Sequence, residues 1–194
     1  TELILRKLKV SQEVRLSTLS AALTANLAMN PYQERLHNQK SPLTSQQREV
    51  INRHPIQAKQ KLEALGIDDK LWLEIVLQHH EKLDGSGYPN QLKHQEIRRE
   101  ARILALADIY SAMVTSRPYR QNIQHKETMR QLFMQRGGKL DEKLTLLFLS
   151  ELGIYPPGIF VRLNNRELAV VIGRTPEHKA PLVASIIKPD GQFF

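Results

Sequence analysis

The hydrophobic period of this sequence changes from helical to alternating at Tyr155-Pro156-Pro157-Gly158, and that switch constrains the fold more than any other feature. Upstream, apolar residues recur at helical spacing. Leu16, Leu19, Ala22 and Leu23 form one stripe, and Val10–Met29 carries no Gly or Pro, which predicts a helix ended by Pro31. Thr44-Ser-Gln-Gln47 reads as a capping box opening the next helix. Pro55 lacks a backbone N–H and predicts a kink or restart near His54, with Ala58, Leu62 and Leu65 inward and Gly66 closing the end. Asp68 is placed to cap a helix running to His80, and a long helix is expected over Glu96–Thr115. Shorter helices are expected near Asn122–Gln135 and Asp141–Leu152. Downstream of the switch, Phe160–Leu163 and Glu167–Ile172 flank an Asn164-Asn165 turn, and Leu182–Ile187 is a third strand. The fold class that follows is all-α, a helical bundle with a small C-terminal β appendage.

At 194 residues, the chain suits one domain of roughly 150 residues with a small addition. The absence of Cys excludes a disulfide framework and thiolate metal sites, and fits a cytoplasmic setting. No apolar run approaches the ~20 residues needed to cross a bilayer, and Thr1–Val10 lacks the pattern of a signal peptide. The formal charge of +8 suits an anionic partner. The basic residues are scattered, however, and no nucleic-acid-binding motif accompanies them, so a solvated surface is the plainer reading.

Ionisable residues interrupt two apolar stripes. Trp72, Ile75, Val76, His79 and His80 fall on one helical face, and His54 follows Val50 and Ile51 at inward spacing. Ile97, Ala101, Leu104, Asp108 and Ala112 form a second stripe. A carboxylate on a core-facing stripe must be paired, hydrogen-bonded or metal-bound. By spacing alone, the set reads equally as hydrogen-bonded core histidines with a counterion or as a non-thiolate metal site. Asp84–Pro89 (DGSGYP) carries two glycines and a proline and can only be a shaped loop.

His79–Pro89 (HHEKLDGSGYP), followed by Ala101–Asp108 (ARILALAD) and Thr115–Arg120 (TSRPYR), closely resembles the HD-GYP family, a bacterial branch of the HD-domain metal-dependent phosphohydrolases. The resemblance implies an HD-domain-like helical bundle over residues 1–153 and a β-rich appendage over 154–194. It implies that His54, His79, His80 and Asp108 are metal ligands. Gly85, Gly87, Tyr88 and Pro89 would form the lip of a ligand pocket, and Arg117 and Arg120 would hold phosphates, a task suited to planar guanidinium donors. Without that role the two arginines read as a solvated helix end. The implied ligand is cyclic di-GMP or a related nucleotide, the implied metal Fe or Mn, and the implied partners signalling proteins such as GGDEF-domain proteins. Further ligands are expected on a helix upstream of Thr1, in a longer parent protein.

The chain departs from the family at one place. Where the family carries its His-Asp pair, this sequence has Thr24 and Ala25, and Ala28 replaces a nearby lysine. Alanine has no ligand atom, so the bridge between neighbouring metals cannot form. Three functions follow as expectations. The first is a degenerate cyclic di-GMP signalling module that binds ligand or protein and holds no metal or one divalent ion. The second is a phosphodiesterase with a reduced metal site, and the third, the least supported, a nucleic-acid-binding protein.

Overall fold

In a computed structural model, residues 1–29, 32, 36, 39, 41–115, 125–175 and 180–194 are described. Among them the order is α1 (Glu2–Lys7), α2 (Gln12–Thr24), α3 (Ser45–Ala64), α4 (Lys70–Gln78), a 3-10 turn (His94–Glu96), α5 (Arg99–Val114), α6 (His125–Gln135) and α7 (Glu142–Leu152). Strands β1 (Phe160–Arg162), β2 (Leu168–Arg174) and β3 (Pro181–Ile187) follow. The fold is therefore all-α with a small C-terminal sheet. It divides into two compact units, Thr1–Glu151 and Leu152–Phe194.

The expected helix over Val10–Met29 is shorter and starts afresh. Lys9 takes a left-handed φ of 52°, and Ser11 then caps α2 by accepting from the Val14 N–H. Two residues of the expected α2 stripe turn outward, Leu16 at 56% and Leu23 at 88% exposed, while Leu19 and Ala22 are half-buried. The buried face carries Ser17, Thr18 and Ala21, and Ala25 follows at the helix end. Small residues let α2 approach α4 closely, and the polar members are hydrogen-bonded. The Thr18 hydroxyl donates to the Val14 carbonyl at 2.6 Å, and the Ser17 hydroxyl donates to Asp69 at 2.6 Å.

The capping box at Thr44 forms, with Thr44 Oγ1 accepting from Gln47 N–H and the Gln47 side chain accepting from Thr44 N–H. No restart occurs at Pro55, because α3 runs unbroken from Ser45 to Ala64 with Pro55 buried inside it. Gly66 ends it at φ 85°. Asp69, one residue beyond the expected Asp68, caps α4 by accepting from Trp72 N–H. The core of the first unit joins Ala21 and Ala25 to Ala58 and Leu62 of α3, Ile75 and Val76 of α4, and Ala101 and Leu104 of α5. In the second unit, β1-β2-β3 is an antiparallel meander in which Phe160 pairs with Val170 and Val170 with Ala184. No helix among the described residues is long and apolar enough to cross a membrane.

Candidate metal centre and its loop

The helical core brings His54 from α3 together with His79 and His80 at the end of α4. One potential ligand atom from each lies within 4.8 Å of the other two. His54 and His79 are 2% and 1% exposed. Their Nε2 atoms face each other at 3.3 Å.

Local backbone chemistry explains why both rings present Nε2. In an unbroken α-helix the Ile51 carbonyl would accept from the N–H of residue 55, but Pro55 has none. That carbonyl instead accepts from His54 Nδ1–H at 2.6 Å. The Val76 carbonyl would accept from residue 80, but α4 ends at Gln78, and the orphaned carbonyl accepts from His79 Nδ1–H at 2.6 Å. Carbonyls only accept, so each Nδ1 carries the proton and each Nε2 a lone pair. Two such lone pairs facing at 3.3 Å leave no proton between them, which is unfavourable unless a cation enters.

Burial keeps the rings neutral. It lowers the pKa of His54 and of His79 to about 4. His80 falls to about 2 through burial and then the neighbouring His79, His54 and Lys82. Neutral imidazoles are the form that ligates metal. Asp108, on α5, stands 3.9 Å from His80 Nδ1 through Oδ2 and does not join the three-histidine set. Because His80 is neutral, this contact is a carboxylate facing a ring nitrogen and not an ion pair.

The loop after His80 folds back over the histidines. Tyr88 N–H donates to the His80 carbonyl at 3.2 Å, and its ring lies over the His80 ring with centroids 4.7 Å apart at 31°. Burial and then Asp108 raise the pKa of the Tyr88 phenol. Gly87 sits against the backbone of Glu81 and Lys82 so closely that a Cβ there would overlap Lys82 N and lie 2.5 Å from Glu81 Cα. Gly85 adopts φ 77°, and Tyr88-Pro89 is a cis peptide.

Glu81, which sequence reasoning did not single out, clamps this loop. Its carboxylate is 5% exposed and accepts from Asn90 N–H at 2.7 Å and from Leu92 N–H at 3.1 Å. Burial raises its pKa despite those bonds. The one available signal was an acidic residue directly beside two inward histidines. Arg102 secures the far end of the same segment by donating to the carbonyls of His94 and Ile97 and to Asp141, the cap of α7. Arg117 and Arg120 lie outside the described residues.

Thr24 and Ala25 are absorbed into structure. The Trp72 indole N–H donates to Thr24 Oγ1 at 2.8 Å, and the Thr24 hydroxyl donates to the Ser20 carbonyl at 2.7 Å. Ala25 is 2% exposed within the apolar core.

The HD domain family model matches residues 1–144. A cyclic di-GMP phosphodiesterase of Pseudomonas aeruginosa is 33% identical over 135 residues, covering 70% of this chain and 32% of that protein. A 3'3'-cGAMP-specific phosphodiesterase of Vibrio cholerae is 40% identical over 76 residues, covering 39% of this chain and 15% of that protein. The chain thus spans less than a third of the length of either relative. Among solved structures, an HDG"Y"P protein from Bdellovibrio bacteriovorus shares the fold, with a TM-score of 0.56 at 20% identity over 74% of this chain and 45% of that one.

Proposed function

This chain belongs to the HD domain family, and from that premise we propose that it is a degenerate HD-GYP-type domain that binds a cyclic dinucleotide such as cyclic di-GMP or 3'3'-cGAMP with little or no hydrolysis. The observation that carries the reading is the state of positions 24 and 25. Thr24 is engaged by Trp72, and Ala25 lies in the apolar core, so neither offers a ligand atom where the family resemblance places its His-Asp pair. Relatives with phosphodiesterase names from two organisms support the choice of ligand class.

In this reading residues 1–153 form the ligand-binding domain and 154–194 an appendage. His54, His79 and His80 hold at most one divalent ion, with Asp108 beside them. Such an ion would supply Lewis-acid polarisation of a phosphate oxygen and activation of water. Gly85, Gly87, Tyr88 and Pro89 form the lip, Tyr88 offers a ring face and a hydroxyl to a nucleotide, and Arg117 and Arg120 contribute guanidinium groups to its phosphates. Binding outlives catalysis because these contacts do not depend on the missing pair.

A second reading, a phosphodiesterase with a reduced metal site, is favoured by the intact three-histidine cluster with its converging ring nitrogens. One experiment separates the two. Equilibrium dialysis of the purified chain with cyclic di-GMP and 3'3'-cGAMP should show binding, while chromatography after incubation with Mn²⁺ or Fe²⁺ should show no product above background. Turnover abolished by His80→Ala would establish the second reading, and absence of binding to either nucleotide would overturn the first.

A further inference from the structure

The sheet of the second unit has one buried and one open face. Ala169 and Val171 of β2 are 0% and 1% exposed and point to one side. The pairing registers set Phe160 opposite Val170 and Val170 opposite Ala184, and Leu168, Ile172 and Leu182 stand two residues along the same strands. These six therefore share the other side. Gly173 leaves a gap there, and the Leu182 side chain lies beside it. Phe160, Ile172 and Leu182, one on each strand, are 65%, 55% and 51% exposed. A sheet is held by burying its apolar faces, so one left open across three strands marks an interaction surface.

The charges around this face say what covers it. Arg162 follows Phe160 by two residues and stands on the open side, Arg166 sits in the turn between β1 and β2, and Lys188 follows β3. Among the described residues no ion pair joins any of the three to a carboxylate. The two acidic side chains described in this unit are engaged elsewhere. Glu167 accepts from the Ser185 hydroxyl, opposite Ala169 on the buried side, and Asp190 accepts from Gln192 N–H. A second copy of the face would bring Arg162 to a surface without a carboxylate, whereas an anionic surface complements it. Arg162 is also the one side chain on the open side that can hydrogen-bond, so little there specifies a protein partner. A bilayer asks for apolar depth and positive charge rather than shape, and it matches both features.

We propose that the open face of β1, β2 and β3 docks on an anionic lipid surface. Phe160, Ile172 and Leu182 enter the boundary between headgroups and acyl chains, and Arg162, Arg166 and Lys188 meet the headgroup phosphates. None of these residues belongs to the histidine cluster or its loop, so the inference stands whether or not the chain binds or hydrolyses a nucleotide.

Sedimentation of the full chain with vesicles of phosphatidylcholine, with and without phosphatidylglycerol, tests it. Wild type should bind the vesicles that contain phosphatidylglycerol, bind the neutral ones far less, and be released as salt rises. Phe160→Gln should weaken binding about tenfold or more, and Arg162→Gln about fivefold. Both side chains are exposed, so either variant should keep the urea midpoint of wild type, and Ile172→Gln repeats the test on the central strand. Leu23→Gln, which removes an exposed leucine from α2, should bind as wild type does. Wild type that ignores the phosphatidylglycerol vesicles, equal binding to neutral ones, or a loss in Leu23→Gln as large as in Phe160→Gln would overturn the inference. So would a dimer seen without lipid by analytical ultracentrifugation and abolished by Phe160→Gln and Arg162→Gln, which would assign the face to a second copy.

Discussion

The Nε2 atoms of His54 and His79 face each other at 3.3 Å, each on a ring whose Nδ1 is bound to the carbonyl three residues earlier. The pair is preorganised for a cation at a cost the folded chain already bears. A divalent ion at about one hundred times its dissociation constant should therefore raise unfolding free energy by about 2.7 kcal/mol. Differential scanning calorimetry with Zn²⁺ should show the increase in wild type, and His54→Ala and His79→Ala should lose it.

Pro55 makes the sharper case, because stability and binding should move in opposite directions. Replacing it by Ala supplies the N–H that a helix interior needs, at a position where Pro is about 3 kcal/mol less favourable than Ala. The same N–H competes for the Ile51 carbonyl and releases His54 Nδ1. Pro55→Ala should raise the urea midpoint of the metal-free protein and weaken its Zn²⁺ affinity by about tenfold or more. A midpoint and an affinity that rise together would contradict this account of the His54 tautomer.

The histidines also set an acid limit on the metal-free fold. His54 and His79 titrate at about 4 in the folded chain, below the ordinary histidine value of about 6.5, so the unfolded chain binds more protons between those values. Their contribution to stability is complete above about pH 6.5 and is lost as pH falls through 4, with His80 extending the loss toward 2. Urea midpoints measured at pH 7, 5.5 and 4.5 should decline in that order. A midpoint that is flat across this window would show that the rings protonate freely in the folded state.

Gly87 tests how tightly the loop is fixed. Since a Cβ would strike the backbone of Glu81 and Lys82 rather than a movable side chain, Gly87→Ala should cost about 1–3 kcal/mol and lift Tyr88 from His80. The tyrosine should then titrate nearer its ordinary value of about 10, a change visible by ultraviolet absorbance against Tyr88→Phe as control.

The helix-to-strand switch after Tyr155 was legible because periodicity reports which side of an element is buried, and the all-α bundle with its small sheet follows from it. In α2 the same signal misled. Leucines mark an apolar face, yet close packing against α4 selected the face of small residues, Ser17, Thr18 and Ala21, and left Leu16 and Leu23 outside. His54, His79 and His80 were marked by their inward spacing, and the structure gathers them. Glu81 was hidden because its partners, the N–H groups of Asn90 and Leu92, reach it only through the path of a loop. Pro55 predicts a kink or restart near His54, whereas α3 runs through it unbroken and puts the freed carbonyl to use.

The bond from Trp72 to Thr24 bears on reversibility. A path from this sequence to one with a His-Asp pair must replace the hydroxyl that accepts the indole N–H and must set a carboxylate among Ala21, Ala58 and Leu62. Each change alone forfeits a satisfied contact or buries a charge, costs of about 1–3 kcal/mol or more, before the pair is complete. Under the degenerate reading proposed above, single replacements at 24 or 25 would lie uphill in stability, so a lost pair would be hard to regain one residue at a time.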